Sequence, residues 1–298
     1  MRRFTAADLM LTATVLIWAL NFTVTKYVLE HGFQPVAYST VRYGAAALLF
    51  AGLTYGLEGS FRVRRRHLPL LLSAAAVGIW LNQLSYVYAI KLTTASTTAL
   101  ILGATPIFTA LFAFAVGFER LRGRFWFAAL VSFVGVALIA AGAGGGITAD
   151  LKGDALGVAT AASWAAYSVA VAPLMRTYSP IRISAFVLLA GWVPLAASAA
   201  GQLASQSFSL QPLVWLCLGY AILGPLVVTN VLWFSAVHRV GPSHATLFAN
   251  VQPFIAVIFA VLILSERLTV IQLAGGVAVG VAVLLSRPRE RPVLARTE

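Results

Sequence analysis

Polar side chains recur at helical spacing inside otherwise apolar runs of this sequence. Trp18, Asn21, Phe22 and Thr25 fall at i, i+3, i+4 and i+7, which lines them along one face of a helix. Trp164, Tyr167, Ser168 and Val171 repeat that spacing in the second half. Asn82, Gln83, Ser85 and Tyr86 form a second group, answered by Thr229, Asn230 and Trp233. Thr93, Thr94, Ser96, Thr97 and Thr98 open one apolar run, and His244, Thr246, Asn250 and Gln252 open another. Amides and hydroxyls are costly in an apolar medium, so such groups face an interior cavity or a neighbouring helix. The chemistry they offer is recognition: hydrogen bonds to a polar head, and Trp or Tyr faces against an apolar or aromatic body. The candidate binding set is Trp18, Asn21, Gln83, Tyr86, Thr97, Trp164, Tyr167, Asn230, Trp233 and Asn250. Helix packing is the alternative for each hydroxyl, since Ser and Thr in membrane helices also bond their own backbone. Trp18 and Trp164 would suit an interfacial belt, but each lies about ten residues, roughly 15 Å, inside its helix.

The charged residues narrow the chemistry. Lys26, Arg42 and His244 are the candidates for holding a substrate carboxylate or for gating, with snorkelling to headgroups the alternative for the two cations. Asp8, Glu30, Glu58, Glu119, Asp154 and Glu266 map near helix ends, so no buried carboxylate presents itself as a proton relay. The four histidines show no metal-ligand spacing, and the single cysteine, Cys217, allows neither an intrachain disulfide nor a Cys-based metal site. No catalytic residue, metal site or cofactor is expected, and an enzyme is disfavoured.

A chain that is 60% apolar and 10% charged carries too little charge for a globular domain, so lipid must cover its surface. About 20 apolar residues cross a bilayer. Ten such helices are predicted, at 9–29, 36–57, 68–90, 94–117, 124–142, 153–173, 182–201, 212–237, 242–264 and 269–286. The first follows Arg2-Arg3 without a cleavable signal pattern and is expected to remain as an anchor. Sixteen arginines fall in the tails and even-numbered gaps, against Lys91, Lys152 and Arg267 in the odd-numbered gaps. That asymmetry puts both termini in the cytoplasm. It also accounts for the net charge of +12 without nucleic acid, since the basic residues form no separate domain.

The halves repeat. Ser96–Leu121 and Ser243–Leu268 agree at an offset of 147, including Pro106 with Pro253 and Glu119-Arg120-Leu121 with Glu266-Arg267-Leu268. Gln83, Tyr86 and Ala89 recur as Asn230, Trp233 and Ala236, and the pair Asp8 and Trp18 recurs as Asp154 and Trp164. With five helices per half, the halves run in opposite senses as an inverted repeat. The expected fold is therefore all-α and integral to the membrane: a first five-helix repeat over 1–146, a second over 147–286, and a basic tail over 287–298. Gly142 to Gly153 is the expected junction. Pro106, Pro253 and the pair Gly224-Pro225 remove backbone hydrogen bonds and are candidate hinges, static kinks being the alternative.

These features together resemble the EamA branch of the drug/metabolite transporter superfamily over about residues 8–286: an early Trp-Ala in each half, and an interior Pro followed by Glu-Arg-Leu in each half. Within that branch the chain is similar to YddG-type exporters of aromatic amino acids. The resemblance implies a multi-pass protein of the bacterial cytoplasmic membrane. Such a protein exports small organic metabolites by alternating access through a central cavity, with aromatic and related neutral amino acids the expected cargo. Proton-coupled export of drugs or other metabolites is the alternative. The expected partners are a small-molecule solute and the lipid bilayer, the oligomeric state being left open.

Overall fold

The structure is a computed structural model that describes residues 5–118, 121, 123–142, 147–240 and 248–286, without the side chains of 147–150, 234 and 238. The candidate His244, Glu119 with Arg120, the Gly144–Gly146 run and the basic tail lie outside the described residues. Among the described residues every regular element is helical, and apolar helices occupy all ten segments read from the sequence.

The helices are α1 (Ala6–Glu30), α2 (Pro35–Glu58), α3 (Arg65–Leu92), α4 (Ala95–Ala115), α5 (Gly123–Ala141), α6 (Ile147–Val171), α7 (Pro180–Ser198), α8 (Pro212–Val237), α9 (Gln252–Leu264) and α10 (Val270–Ser286). Eight are long and apolar enough to cross a membrane, while the described parts of α9 and α10 are shorter apolar helices. Local chemistry sets their starts. Thr5 and Asp8 exchange hydrogen bonds in a capping box ahead of α1. Proline occupies the first turn of α2, α7 and α8, where its missing N–H costs nothing. Ser179 caps α7 by accepting the N–H of Arg182 at 3.1 Å. Gly59 ends α2 at φ +61°, a conformation glycine adopts freely.

The start of α6 departs from expectation, lying at Ile147 rather than 153. Asp150 and Lys152 read as loop in the sequence, but an acidic residue suits the first turn of a helix.

Helix packing repeats between the halves. α5 packs on α10, α2 on α7 and α4 on α9, while the pairs α1–α8 and α3–α6 answer each other. The α5–α10 contact is close because it is built on glycine: a Cβ on Gly135 would lie 2.8 Å from the carbonyl oxygen of Gly275.

The irregularities repeat as well. A π-helical turn interrupts α3 at Ala76–Leu81, and another interrupts α8 at Leu223–Val228, the same offset of 147 that relates the sequence motifs. α4 breaks at Gly103–Ala104 between Ala95–Leu102 and Thr105–Ala115, and the matching turn, Asn250–Val251, precedes α9. In both, a tight turn closes just before the proline, through Ala104 N–H to the carbonyl of Ile101 and Val251 N–H to that of Phe248, each at 3.0 Å. Pro106 and Pro253 thus begin new helical segments, and Pro225 lies in the π-helical turn inside α8.

Candidate functional site

A cavity of about 1800 Å³ lies between the two halves. It reaches the helix ends at Leu121, Arg124, Met175, Pro180, Val240 and Ser286, the face on which most of the described arginines fall. The opposite face, made of the links near residues 31–34, 93–94, 206–211 and 265–269, contributes no lining residue.

Hydrogen bonds seal that opposite face. Gln206 accepts the N–H of Gln34 at 2.7 Å and donates to the carbonyl of Gly32 at 3.0 Å. Gln202 accepts the N–H of Val36 at 2.7 Å and donates to the Tyr88 hydroxyl at 2.9 Å. Glu266 accepts the N–H groups of Ala95 and Ser96 at 2.8 and 2.9 Å, capping α4 from the far half. The basic face is tied instead by Arg182 and Glu58 at 2.6 Å, joining α7 to α2 at the margin of the cavity.

Most of the candidate binding residues meet here. Trp18, Asn21, Gln83, Tyr86, Trp164, Tyr167, Asn230, Trp233 and Asn250 all line the cavity, as do Arg42, Pro106, Pro225 and Pro253. The π-helical turns explain part of that convergence. Widening the helix by one residue rotates the next turn about the axis, and Asn82-Gln83 and Thr229-Asn230 come directly after the two π-helical turns. Gly78, inside the first turn, lets Tyr167 approach: a Cβ there would sit 2.3 Å from the Tyr167 ring.

Specific contacts order the lining, and those of Trp18 and Asn82 join the two halves. Trp18 Nε1 donates to the Thr229 hydroxyl at 2.9 Å and lies 3.3 Å from the carbonyl of Pro225. The Trp18 and Trp233 rings lie 5.2 Å apart, and those of Trp164 and Tyr167 lie 5.3 Å apart. Asn21 Nδ2 donates to the Tyr86 hydroxyl at 3.1 Å, and Asn82 donates to the carbonyl of Thr160 and to the Ser163 hydroxyl, each at 3.0 Å.

Three candidates sit elsewhere. Thr97 is fully buried and bonded to Thr94 and to Gln272 Nε2 at 3.0 Å, so it ties α4 to α10 away from the cavity. Lys26 neither lines the cavity nor snorkels; its ammonium donates to the carbonyls of Ile90 and Thr93 at 3.0 and 2.6 Å, closing the C-terminal end of α3. Gly224 packs against Ile17 and Tyr220 rather than the cavity. Arg42, by contrast, is 3% exposed and turned inward, so it is not a headgroup anchor.

Tyr43 and Arg124 line the cavity and were not among the sequence candidates. Tyr43 looks like one more apolar residue of a long run, and Arg124 like one more orientation charge. Thr229, grouped in the sequence with Asn230 and Trp233, lines the cavity as well.

The comparisons with known proteins agree with this arrangement. A solved crystal structure shares the fold with a TM-score of 0.66 at 21% identity, over 96% of this chain and 98% of that one. The uncharacterized transporter YetK of Bacillus subtilis is 25% identical over 89% of this chain and 82% of its own length. The uncharacterized inner membrane transporter YedA of Escherichia coli is 26% identical over 93% and 89%. A probable terminal-alkyne amino-acid exporter of Streptantibioticus cattleyicolor is 26% identical over 91% and 90%. The EamA-like transporter family matches residues 5–141 and again 151–287, one copy per half. The chain is therefore a multi-pass membrane transporter belonging to the EamA-like transporter family.

Proposed function

We propose that this transporter exports small organic metabolites, aromatic and related neutral amino acids foremost, across the bacterial cytoplasmic membrane by alternating access. The observation that carries the reading is the cavity itself. It is lined from both halves by Trp and Tyr rings and by amides, it reaches one face, and it is sealed by hydrogen bonds at the other. Rings suit a planar apolar body, and amides suit a polar head.

The halves, 1–146 and 147–286, act as inverted five-helix repeats of a ten-span protein. The paired packing of α5 with α10, α2 with α7 and α4 with α9 supports a pseudo-two-fold axis, and an odd number of helices per half inverts the second. Both termini lie in the cytoplasm, as the arginine asymmetry favours, so the open face is the inner one. Outward transport is inferred by resemblance to exporters, among them the probable amino-acid exporter of Streptantibioticus cattleyicolor.

Counterflow into proteoliposomes tests the reading. Saturable uptake of labelled Trp, Phe or Tyr at equal pH is expected. Uptake that appears only with an imposed pH gradient would replace facilitated with proton-coupled transport. Movement of another solute and of no amino acid would overturn the cargo assignment.

A further inference from the structure

Arg42 is a buried cation with no counter-ion among the described residues. Its guanidinium meets the Tyr38 and Tyr43 rings at 5.7 and 5.1 Å and the Tyr38 hydroxyl at 3.4 Å, and its Nε has no hydrogen-bond partner. Among the described residues, no carboxylate forms an ion pair with it. A buried charge held this way is expensive unless something anionic completes it. Asn21, 7% exposed, presents the complementary gap: its Nδ2 is bonded to Tyr86 and its Oδ1 is unpaired. Both residues line the same cavity.

We propose that Arg42 and Asn21 form the headgroup subsite of the cavity, Arg42 taking the carboxylate and Asn21 Oδ1 the ammonium group of an α-amino acid. The inference rests on the transport reading above and deepens it. A guanidinium presents parallel N–H donors that match the two oxygens of a carboxylate, whereas an amide oxygen accepts from an ammonium. Both unpaired atoms are covered in this open-inward arrangement, so seating the headgroup requires the Arg42 and Asn21 side chains to turn. No ion pair among the described residues holds Arg42 back, and its hydrogen bond to Tyr38 is long. The nearby rings of Phe22 and Tyr86, 5.8 Å apart and both lining the cavity, leave an apolar surface beside the headgroup for the solute's side chain.

The test uses the full-length protein in proteoliposomes with labelled tryptophan. Tryptamine lacks the carboxylate and indole-3-propionate lacks the ammonium. Both are expected to compete at least tenfold more weakly than unlabelled tryptophan, a measurement on the wild-type protein that needs no variant to fold. Arg42→Gln is expected to lose uptake more than tenfold, with Arg42→Lys retaining part of it. Asn21→Ala is expected to narrow the preference for tryptophan over indole-3-propionate. If wild-type protein moves tryptophan but tryptamine competes equally well, the subsite is refuted and the transport reading stands. Folded Arg42→Gln transporting at the wild-type rate would refute the subsite in the same way. If wild-type protein moves no amino acid, the cargo reading falls and the subsite falls with it.

Discussion

Glu266 accepts the backbone N–H of Ala95 at 2.8 Å across the boundary between the two halves. Its carboxylate, the first residue of the second Glu-Arg-Leu motif, therefore caps α4, a helix of the other half. An ionised acceptor at a helix N-terminus offsets both the unsatisfied N–H groups and the helix dipole. Glu266→Ala is expected to destabilise the protein by about 1–2 kcal/mol. Thermal unfolding in detergent should fall by a few degrees, with Glu266→Gln, which keeps one acceptor, falling less. An unchanged melting temperature for the alanine variant would deny the cap a stabilising role.

The bond from Trp18 to Thr229 ties the candidate binding surface of α1 to α8 just past its π-helical turn. Trp18→Phe keeps a ring and removes the donor. At equal protein level it is expected to lower flux about fivefold, the worth of roughly 1 kcal/mol for one hydrogen bond. Thr229→Val should produce a similar loss, and the double variant should lose little more, because both changes delete one interaction. Fully additive losses would mean that the two residues act separately.

Gly78 and Tyr167 occupy one another's space limit, since a Cβ on Gly78 would lie 2.3 Å from the ring. Gly78→Ala is expected to cost about 1–3 kcal/mol through overpacking. Adding Tyr167→Ala should recover most of that stability while leaving transport impaired, because the ring lines the cavity. Melting temperatures of the two single variants and the double variant decide the point; a double variant less stable than Gly78→Ala alone would contradict it.

The sealed face makes a prediction about access. In a Cys217→Ser background, a cysteine at Asn230, which lines the cavity, should react with a membrane-impermeant thiol reagent from the basic face and not from the other. Gln206→Leu removes the acceptor for Gln34 N–H and the donor to Gly32. It should raise labelling from the far face by shifting population toward opening there. Equal labelling from both faces before the change would contradict a seal at this end.

Legibility in the sequence divided along a physical line. Trp18, Asn21, Gln83, Tyr86, Trp164, Asn230 and Trp233 could be grouped because helical periodicity decides which residues share a face and because burying an amide in lipid is costly. The prolines were visible too, since a missing N–H must interrupt the hydrogen-bond ladder. Thr97 was grouped with the site as a polar residue in an apolar run and Lys26 as a charge for a substrate carboxylate, but each is satisfied by a partner far along the chain: Thr97 by Gln272, 175 positions away, and Lys26 by the carbonyl of Thr93, 67 positions away.

By itself, then, the sequence determined the apolar helices, the doubling at an offset of 147 and the polar faces, because each is set by residue type and spacing along one chain. Only the tertiary structure decided which neighbour each face meets. It placed Arg42 inward with no counter-ion among the described residues, gave Glu266 the N-terminus of α4, and opened the cavity toward one face while hydrogen bonds closed the other. These depend on distances between helices remote in sequence, which periodicity does not encode.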